Sequence, residues 1–130
     1  MIVVDASVLI EVLVRPKERP QIAERILHPD EQVHVPHLVD VEVAQVMRRF
    51  VRSGDITARL GKAILSDLAV FPLHRHGHDY LLPRVWELRE NLTAYDAVYV
   101  ALAELLEVVL LTRDRKLAGA SGLRAKIELV

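Results

Sequence analysis

Short runs rich in apolar residues alternate along the chain with longer segments of helical periodicity. The first run, Ile2–Val4, comes before any polar residue, and similar runs recur at Gln32–Val35 and Val108–Thr112. Apolar runs of this kind are typical of parallel strands buried on both faces, and consecutive parallel strands need a crossover connection that is usually a helix. The alternation therefore predicts an α/β fold, with a central parallel β-sheet flanked by helices.

The predicted elements fill the chain without a linker or an internal repeat. Strands are expected at Ile2–Val4, Gln32–Val35, Val70–Leu73, Val108–Thr112 and Ile127–Val130. Helices are expected at Ala6–Val14, Gln21–Leu27, His37–Arg52, Thr57–Leu68, His78–Glu90, Thr93–Leu106 and Arg115–Ala118. At 130 residues, of which 52% are hydrophobic and 27% charged, the chain has the size and composition of a single domain over residues 1–130.

Composition excludes several classes of protein. The absence of cysteine excludes disulfide scaffolds, thiolate metal sites and cysteine catalysis. The formal net charge of -1 excludes a globally basic nucleic-acid binder, although a local basic patch stays open. The longest apolar run, Ala97–Ala103, is far shorter than the roughly 20 residues that span a bilayer. No signal peptide is visible, so we expect a cytoplasmic protein without membrane association.

Four acidic residues stand at the ends of predicted elements. Asp5 directly follows the first strand, and Asp114 follows the Val108–Thr112 strand by two residues. Glu42 and Asp96 lie near the starts of two helices with apolar residues on the same face. Ligands of open parallel sheets bind beyond the carboxyl ends of the strands, where these acids are expected to meet.

Acids that converge on one point need a counter-charge, because a carboxylate on an apolar face must be paired, protonated or bound to a metal. All-oxygen ligands suit Mg²⁺ or Mn²⁺, and such an ion can orient and activate a phosphodiester for hydrolysis. Each acid also has a plainer interpretation: Asp5 as a helix cap, Asp114 as a turn residue, and Glu42 and Asp96 as favourable charges on helix dipoles.

Three stretches of the sequence are similar to one known family. They are Val3–Leu9, Pro36–Ala44 and Leu92–Ala103 with its continuation Leu110–Asp114, in the family's order and spacing. On these motifs the chain resembles the PIN-domain ribonucleases, specifically the VapC-type toxins of toxin–antitoxin pairs. The resemblance covers nearly the whole chain and implies a PIN-like fold.

The resemblance also implies a function. It implies a Mg²⁺- or Mn²⁺-dependent endoribonuclease that inhibits translation by cutting structured RNA, either tRNA or rRNA. Carried over by position, the acidic quartet of metal-holding and catalytic residues is Asp5, Glu42, Asp96 and Asp114, with Ser7 and Thr112 as supporting hydroxyls. Family members usually form homodimers and are inhibited by a cognate antitoxin that pushes a basic side chain into the acidic site.

One departure from the family concerns the residues after the last acid. Some relatives carry a further acid there, whereas this chain has Arg115 and Lys116. A second metal ion is therefore expected to bind only weakly, or only with a substrate phosphate as an extra ligand. With Arg113, these two residues form the preferred candidate for contact with RNA phosphates. A second basic group, Arg48, Arg49 and Arg52, lies at the end of the Glu42 helix.

The histidine tract and the single tryptophan lead to two further expectations. His74, His76 and His78 resemble a metal-binding tract, but a solvated loop is the preferred interpretation. Trp86 is expected in the core or in an interface rather than as a base-stacking platform.

Two alternative functions stay open. A non-cleaving PIN module that binds RNA or an antitoxin would keep the fold without the catalysis. A phosphoaspartate protein would also place an acid after the first strand. However, the related phosphatases want a second Asp where this chain has Ser7, and only Lys116 is plausibly placed as the required lysine.

Overall fold

Five strands form one all-parallel sheet in the order β3-β2-β1-β4-β5. The computed structural model describes all 130 residues. The strands are β1 Ile2–Val4, β2 Val33–Pro36, β3 Leu73–His76, β4 Leu110–Thr112 and β5 Ile127–Leu129. In the centre of the sheet, Val3 is in register with His34 of β2 on one side and with Leu110 of β4 on the other. The predicted α/β architecture is confirmed.

Helices cover the sheet and connect its strands. They are α1 Ala6–Val14, α2 Pro20–Ile26, α3 Leu38–Ser53, α4 Ala58–Val70, α5 Leu82–Glu87, α6 Ala94–Leu106 and α7 Arg115–Ala118. The side-chain oxygens of Asp5, Thr57 and Thr93 cap α1, α4 and α6, and α3 ends at Gly54 in the left-handed conformation with φ 81°. No helix is long and apolar enough to cross a membrane.

The core lies between the sheet and α6. Every residue from Ala97 to Ala103 is buried, and α6 packs against β1, β2 and β4. The strand residues Val3, Val4, Leu110 and Leu111 are fully buried, as expected for parallel strands covered on both faces. This packing fixes the start of α6, and with it Asp96, beside the end of β1.

Two predicted elements differ from the structure. The third strand is Leu73–His76 rather than Val70–Leu73, because α4 continues to Val70 and Pro72 then separates helix from strand. The segment expected as one helix over His78–Glu90 is a 3₁₀ turn at Asp79–Leu81 followed by the short helix α5. Pro83 explains this division, since proline is accommodated in the first turn of a helix and not in its interior.

The expected loop at the histidine tract is wrong. His74 and His76 lie on β3, in register with His34 and Pro36 of β2. The His34 ring stacks on His74 with a centroid distance of 4.7 Å, and its Nδ1 lies 2.9 Å from His76 Nε2. His78 accepts a hydrogen bond from the backbone N–H of Leu38 at 3.0 Å. Pairing with β2 satisfies the β3 backbone, so the tract forms an edge strand despite its polarity.

Candidate active site

The four predicted acids lie together at the carboxyl edge of the sheet. Asp5 follows β1 and Asp114 follows β4, while α3 and α6 begin at the same edge and carry Glu42 and Asp96. The carboxylates are close enough to affect one another: the charges of Asp5 and Asp96 add to the burial that raises the pKa of Glu42. Burial likewise raises the pKa of Asp96, and the charges of Asp114 and Asp5 raise it further.

Asp5 is the most buried of the four, with 7% of its surface exposed. Its Oδ1 accepts hydrogen bonds from Ser7 Oγ at 2.5 Å and from the backbone N–H of Val8 at 3.1 Å. Its Oδ2 accepts one from Thr112 Oγ1 at 2.5 Å. Burial raises the pKa of Asp5 although all these hydrogen bonds act to lower it. The two predicted supporting hydroxyls therefore both hold the Asp5 carboxylate in place.

Thr112 also connects Asp5 to Asp114. Its Oγ1 accepts a hydrogen bond from the backbone N–H of Asp114 at 2.9 Å while it donates to Asp5. Asp114 Oδ1 in turn accepts from the backbone N–H of Lys116 at 2.8 Å and caps α7. Asp5 and Asp114 are thus helix caps as well as members of the acidic cluster. For Asp5 the cap is the plainer interpretation of the sequence, whereas Asp114 caps a short helix where the sequence suggested a turn.

Sequence reasoning missed the role of Tyr99. This tyrosine, only 2% exposed, lies one turn after Asp96 on α6 and donates a hydrogen bond from its hydroxyl to Glu42 Oε1 at 2.6 Å. Burial raises the pKa of Tyr99, and the charge of Glu42 raises it further, so the phenol stays a donor. The signal was present in the sequence, because a tyrosine on a buried helix face needs a partner for its hydroxyl.

None of the salt bridges in the chain involves Asp5, Glu42, Asp96 or Asp114. The cluster therefore gathers negative charge without a protein cation, and its oxygen-only donors match the preference of Mg²⁺ and Mn²⁺. No three side chains of the His, Cys, Asp and Glu types are arranged to hold a metal ion by themselves. The donor chemistry fits such an ion, with water or a substrate oxygen needed to complete its coordination.

The three basic residues expected to contact RNA differ in their surroundings. Arg113 donates its backbone N–H to Ser7 Oγ at 3.0 Å, and its guanidinium pairs with the buried carboxylate of Glu11. Arg115 and Lys116 are exposed and have no acidic partner. Arg113 is therefore fixed at the edge of the acidic cluster, whereas the other two side chains are free to move.

A groove of about 600 Å³ runs from the acidic cluster between α1 and α3. Its walls are largely apolar, with Ile10 and Val14 on α1 facing Val46 and Phe50 on α3. Glu42 is the one member of the acidic cluster that lines the groove, and the charged lining residues also include Glu11 and three arginines, Arg15, Arg49 and Arg113. The groove can accommodate an amphipathic chain whose polar side chains meet these charged residues.

Comparison with known proteins agrees with this geometry. Residues 2–123 match the family model described as PIN domain. The chain is 41% identical over 129 residues to Ribonuclease VapC1 of Mycobacterium tuberculosis, covering 98% of this chain and 96% of that protein. It shares its fold with the crystal structure of Mycobacterium tuberculosis VapC20, a Sarcin-Ricin loop cleaving toxin, with TM-score 0.70, 14% identity and coverage of 95% and 96%. It also resembles the structure of DNA-bound VapBC from Salmonella typhimurium, with TM-score 0.70, 13% identity and coverage of 98% and 96%.

Proposed function

Because the chain belongs to the PIN-domain family and, within it, to the VapC ribonucleases, we propose that it is the toxin of a toxin–antitoxin pair that cleaves structured RNA with the help of Mg²⁺ or Mn²⁺. Its action would inhibit translation in the cytoplasm. The observation that carries this proposal is the acidic cluster of Asp5, Glu42, Asp96 and Asp114, which has no cationic side chain to neutralise it. A purely structural cluster of this kind would only destabilise the fold.

The residues divide the chemistry between them. Asp5, Asp96 and Asp114 would hold the cation directly or through water, and Glu42 would orient the attacking water or hold a second ion. When bound, a divalent cation neutralises phosphate charge and makes hydroxide available near neutral pH. Ser7 and Thr112 keep the Asp5 carboxylate in one orientation, and Tyr99 does the same for Glu42.

RNA phosphates near the cut are proposed to contact Arg113, Arg115 and Lys116. The ion pair with Glu11 leaves Arg113 its other N–H donors, and 32% of its side chain is exposed. The similar protein VapC20 of Mycobacterium tuberculosis is a Sarcin-Ricin loop cleaving toxin. By analogy, we propose a loop of rRNA or of tRNA as the substrate here.

The groove between α1 and α3 is proposed to bind the cognate antitoxin. Its apolar walls suit an amphipathic segment, and Glu42 among its lining residues would accept a basic side chain of that segment. Phe50→Glu should therefore weaken antitoxin binding without removing the acidic cluster. A titration of the purified partner against both proteins would check this.

A homodimer is proposed from the same family relationship. Trp86 cannot belong to the core, because 68% of its surface is exposed, and Leu82 on the same face of α5 is 54% exposed. This face is our candidate for the contact between two copies. Sedimentation of the wild type and of Trp86→Ala would test it.

The proposed cleavage is tested by sequencing RNA 5′ ends. Total RNA is incubated with the purified protein in Mg²⁺, in Mn²⁺ and in EDTA, beside the Asp96→Asn variant. Discrete new ends that need both metal and Asp96 would support the nuclease and name its target. If no new ends arise in either metal, the alternative of a non-cleaving RNA- or antitoxin-binding module takes its place.

The phosphoaspartate alternative has no support. Lys116 is exposed, and its backbone N–H, rather than its ammonium group, contacts the acidic cluster through Asp114. No lysine therefore reaches Asp5 as that chemistry would require.

A further inference from the structure

The α3–α4 hairpin concentrates positive charge in a chain whose net charge is negative. Its segment 48–62 contains five basic residues and one acid, whereas the whole chain has a formal net charge of -1. The basic residues are Arg48, Arg49, Arg52, Arg59 and Lys62, and all five are exposed. The rest of the chain must then carry a net charge of -5, so the molecule is electrically polarised.

These five cations have no acidic partners. The one acid of the segment, Asp55, accepts a hydrogen bond from Ser53 at 2.7 Å and takes part in no salt bridge. Seven of the other arginines of the chain are paired with carboxylates, at positions 15, 19, 25, 75, 84, 89 and 113. The charge of the hairpin is therefore available to a partner, because no neighbouring acid neutralises it.

Packing brings three of the cations to one shallow groove. Arg48 and Arg52 are one helical turn apart on α3, and Lys62 on α4 lines the same groove. A Cβ added at Gly61 would lie 3.3 Å from Val51 Cγ2, so the glycine allows the two helices to approach closely. The backbone positions of these residues therefore form a cationic row, and its guanidinium and ammonium groups can bind the phosphates of a nucleic-acid backbone.

The row lies on the same helix as Glu42. Arg48 is six residues and Arg52 ten residues beyond it, which corresponds to about 9 to 15 Å along the α3 axis at a rise of ~1.5 Å per residue. An RNA cut at the acidic cluster would reach the row only if its backbone extends that far past the cut.

We propose that Arg48, Arg52 and Lys62 form a second RNA-docking surface, which grips the backbone of a folded RNA at a distance from the cleavage site. This inference rests on the proposed RNA cleavage. It adds that the protein selects folded RNA over short RNA. A protein segment is the less favoured partner, because the groove proposed for the antitoxin lies on the other side of α3, between α1 and α3.

The test compares two triple variants that remove the same charge. The first is Arg48→Gln/Arg52→Gln/Lys62→Gln. The matched control is Lys17→Gln/Arg124→Gln/Lys126→Gln, whose three residues are also exposed and unpaired. Thermal melting confirms that both variants are folded. Each is then assayed on the intact RNA identified by 5′-end sequencing and on a short oligomer that spans the same cut.

The first variant should lose at least about tenfold in kcat/KM on the folded RNA and nothing on the oligomer, because only the long substrate reaches the row. Its loss should lie in KM rather than kcat. The slope of log affinity against log salt, measured with the added Asp5→Asn substitution to prevent cleavage, should fall by about 2 to 3 for three lost phosphate contacts. The control variant should match the wild type in all these measurements.

Equal losses of kcat/KM on both substrates would contradict the proposed docking surface. An unchanged rate on the folded RNA together with an unchanged salt slope would also contradict it. Weaker antitoxin binding with unchanged RNA binding would assign the row to a protein instead. If the wild type cleaves no RNA, filter binding of bulk tRNA to the same variants still decides the inference. Failure of the proposed catalysis and failure of the docking surface are therefore distinguishable.

Discussion

Helix α6 carries two partly buried acids whose surroundings shift their pKa values in opposite directions. Glu104, near the end of the helix, accepts hydrogen bonds from Arg84 at 2.6 and 3.1 Å and from the backbone N–H of Arg124 at 2.7 Å. Burial alone would raise the pKa of Glu104, but these donors outweigh it and lower the pKa. Asp96, in the first turn, has no cation, and burial together with neighbouring carboxylates raises its pKa.

The difference in charged partners between Glu104 and Asp96 separates a structural acid from an acid of the candidate site. Where a carboxylate serves the fold, as Glu104 does, a guanidinium is placed against it. Arginine could equally be placed beside Asp96, as Arg113 is placed beside Glu11 a short distance away. The acidic cluster instead has no cationic partner within the chain, which destabilises the free protein; the proposed cation would compensate this charge.

Removing the acidic charge at one or the other end of α6 should give the largest difference in activity between two variants. Asp96→Asn should lower the proposed RNA cleavage at least about 100-fold, because Asp96 is a proposed ligand of the cation, and such a ligand supports several kcal/mol of transition-state stabilisation. Glu104→Gln should retain cleavage within about threefold. Rates of 5′-end formation on one RNA at saturating Mn²⁺ measure both. Equal losses in the two variants would remove the functional distinction between these acids.

The same two substitutions should affect the free energy of unfolding in the opposite order. Glu104→Gln breaks the ion pair with Arg84, whose side chain is 19% exposed, and should cost on the order of 3 kcal/mol of unfolding free energy. Asp96→Asn in EDTA should leave the protein equal to or more stable than the wild type, since it removes like-charge repulsion. Urea unfolding measures both variants. Added Mn²⁺ should stabilise the wild type more than Asp96→Asn, and the absence of that preference would contradict the metal site.

A smaller effect is expected at the tyrosine that positions Glu42. Tyr99→Phe removes the hydrogen bond to Glu42 Oε1 while it keeps the ring in the core, and should lower cleavage about tenfold. Raising the Mn²⁺ concentration should recover part of the loss, because the change acts through the orientation of Glu42. Tyr95→Phe is the matched control, since Tyr95 is 64% exposed and should tolerate the change. A wild-type rate in Tyr99→Phe would show that Glu42 needs no such support.

The smallest expected effect is a difference in pH dependence without metal. The pKa values of Asp5, Glu42 and Asp96 are raised above their ordinary values of 3.8, 4.5 and 3.8, so these three groups bind more protons in the folded protein than in the unfolded chain above pH 4. These groups make stability fall as the pH rises from about 4 through their raised pKa values. Glu104, with its lowered pKa, acts in the opposite direction. Its contribution to the unfolding free energy is lost as the pH falls below the ordinary pKa of a glutamate.

Unfolding free energies of the wild type and of Asp96→Asn in EDTA, measured from pH 4 to 8, should therefore converge toward the acid end. There the native carboxyl groups become protonated and the repulsion disappears. A difference between the two proteins that is constant over this range would contradict the raised pKa of Asp96.

The sequence predicted the acidic cluster better than it predicted its surroundings. Asp5 and Asp114 could be found because parallel strands bring their carboxyl ends to one edge, and Glu42 and Asp96 because an acid on an apolar helix face is conspicuous. The histidine tract misled the prediction, since its polarity suggested a loop. Its conformation depends on β2, because the backbone of His74 and His76 pairs with that strand.

The amino-acid sequence by itself determined the order of strands and helices, their caps and the acids at their ends. These follow from periodicity and from contacts within a few residues, as with Asp5 and Val8. Only the tertiary structure decided which charges are neutralised and which are left free. Glu11 and Arg113 are 102 positions apart, and Glu42 and Tyr99 are 57 apart. Pairing at such separations depends on how the helices pack against the sheet, and no local pattern records it.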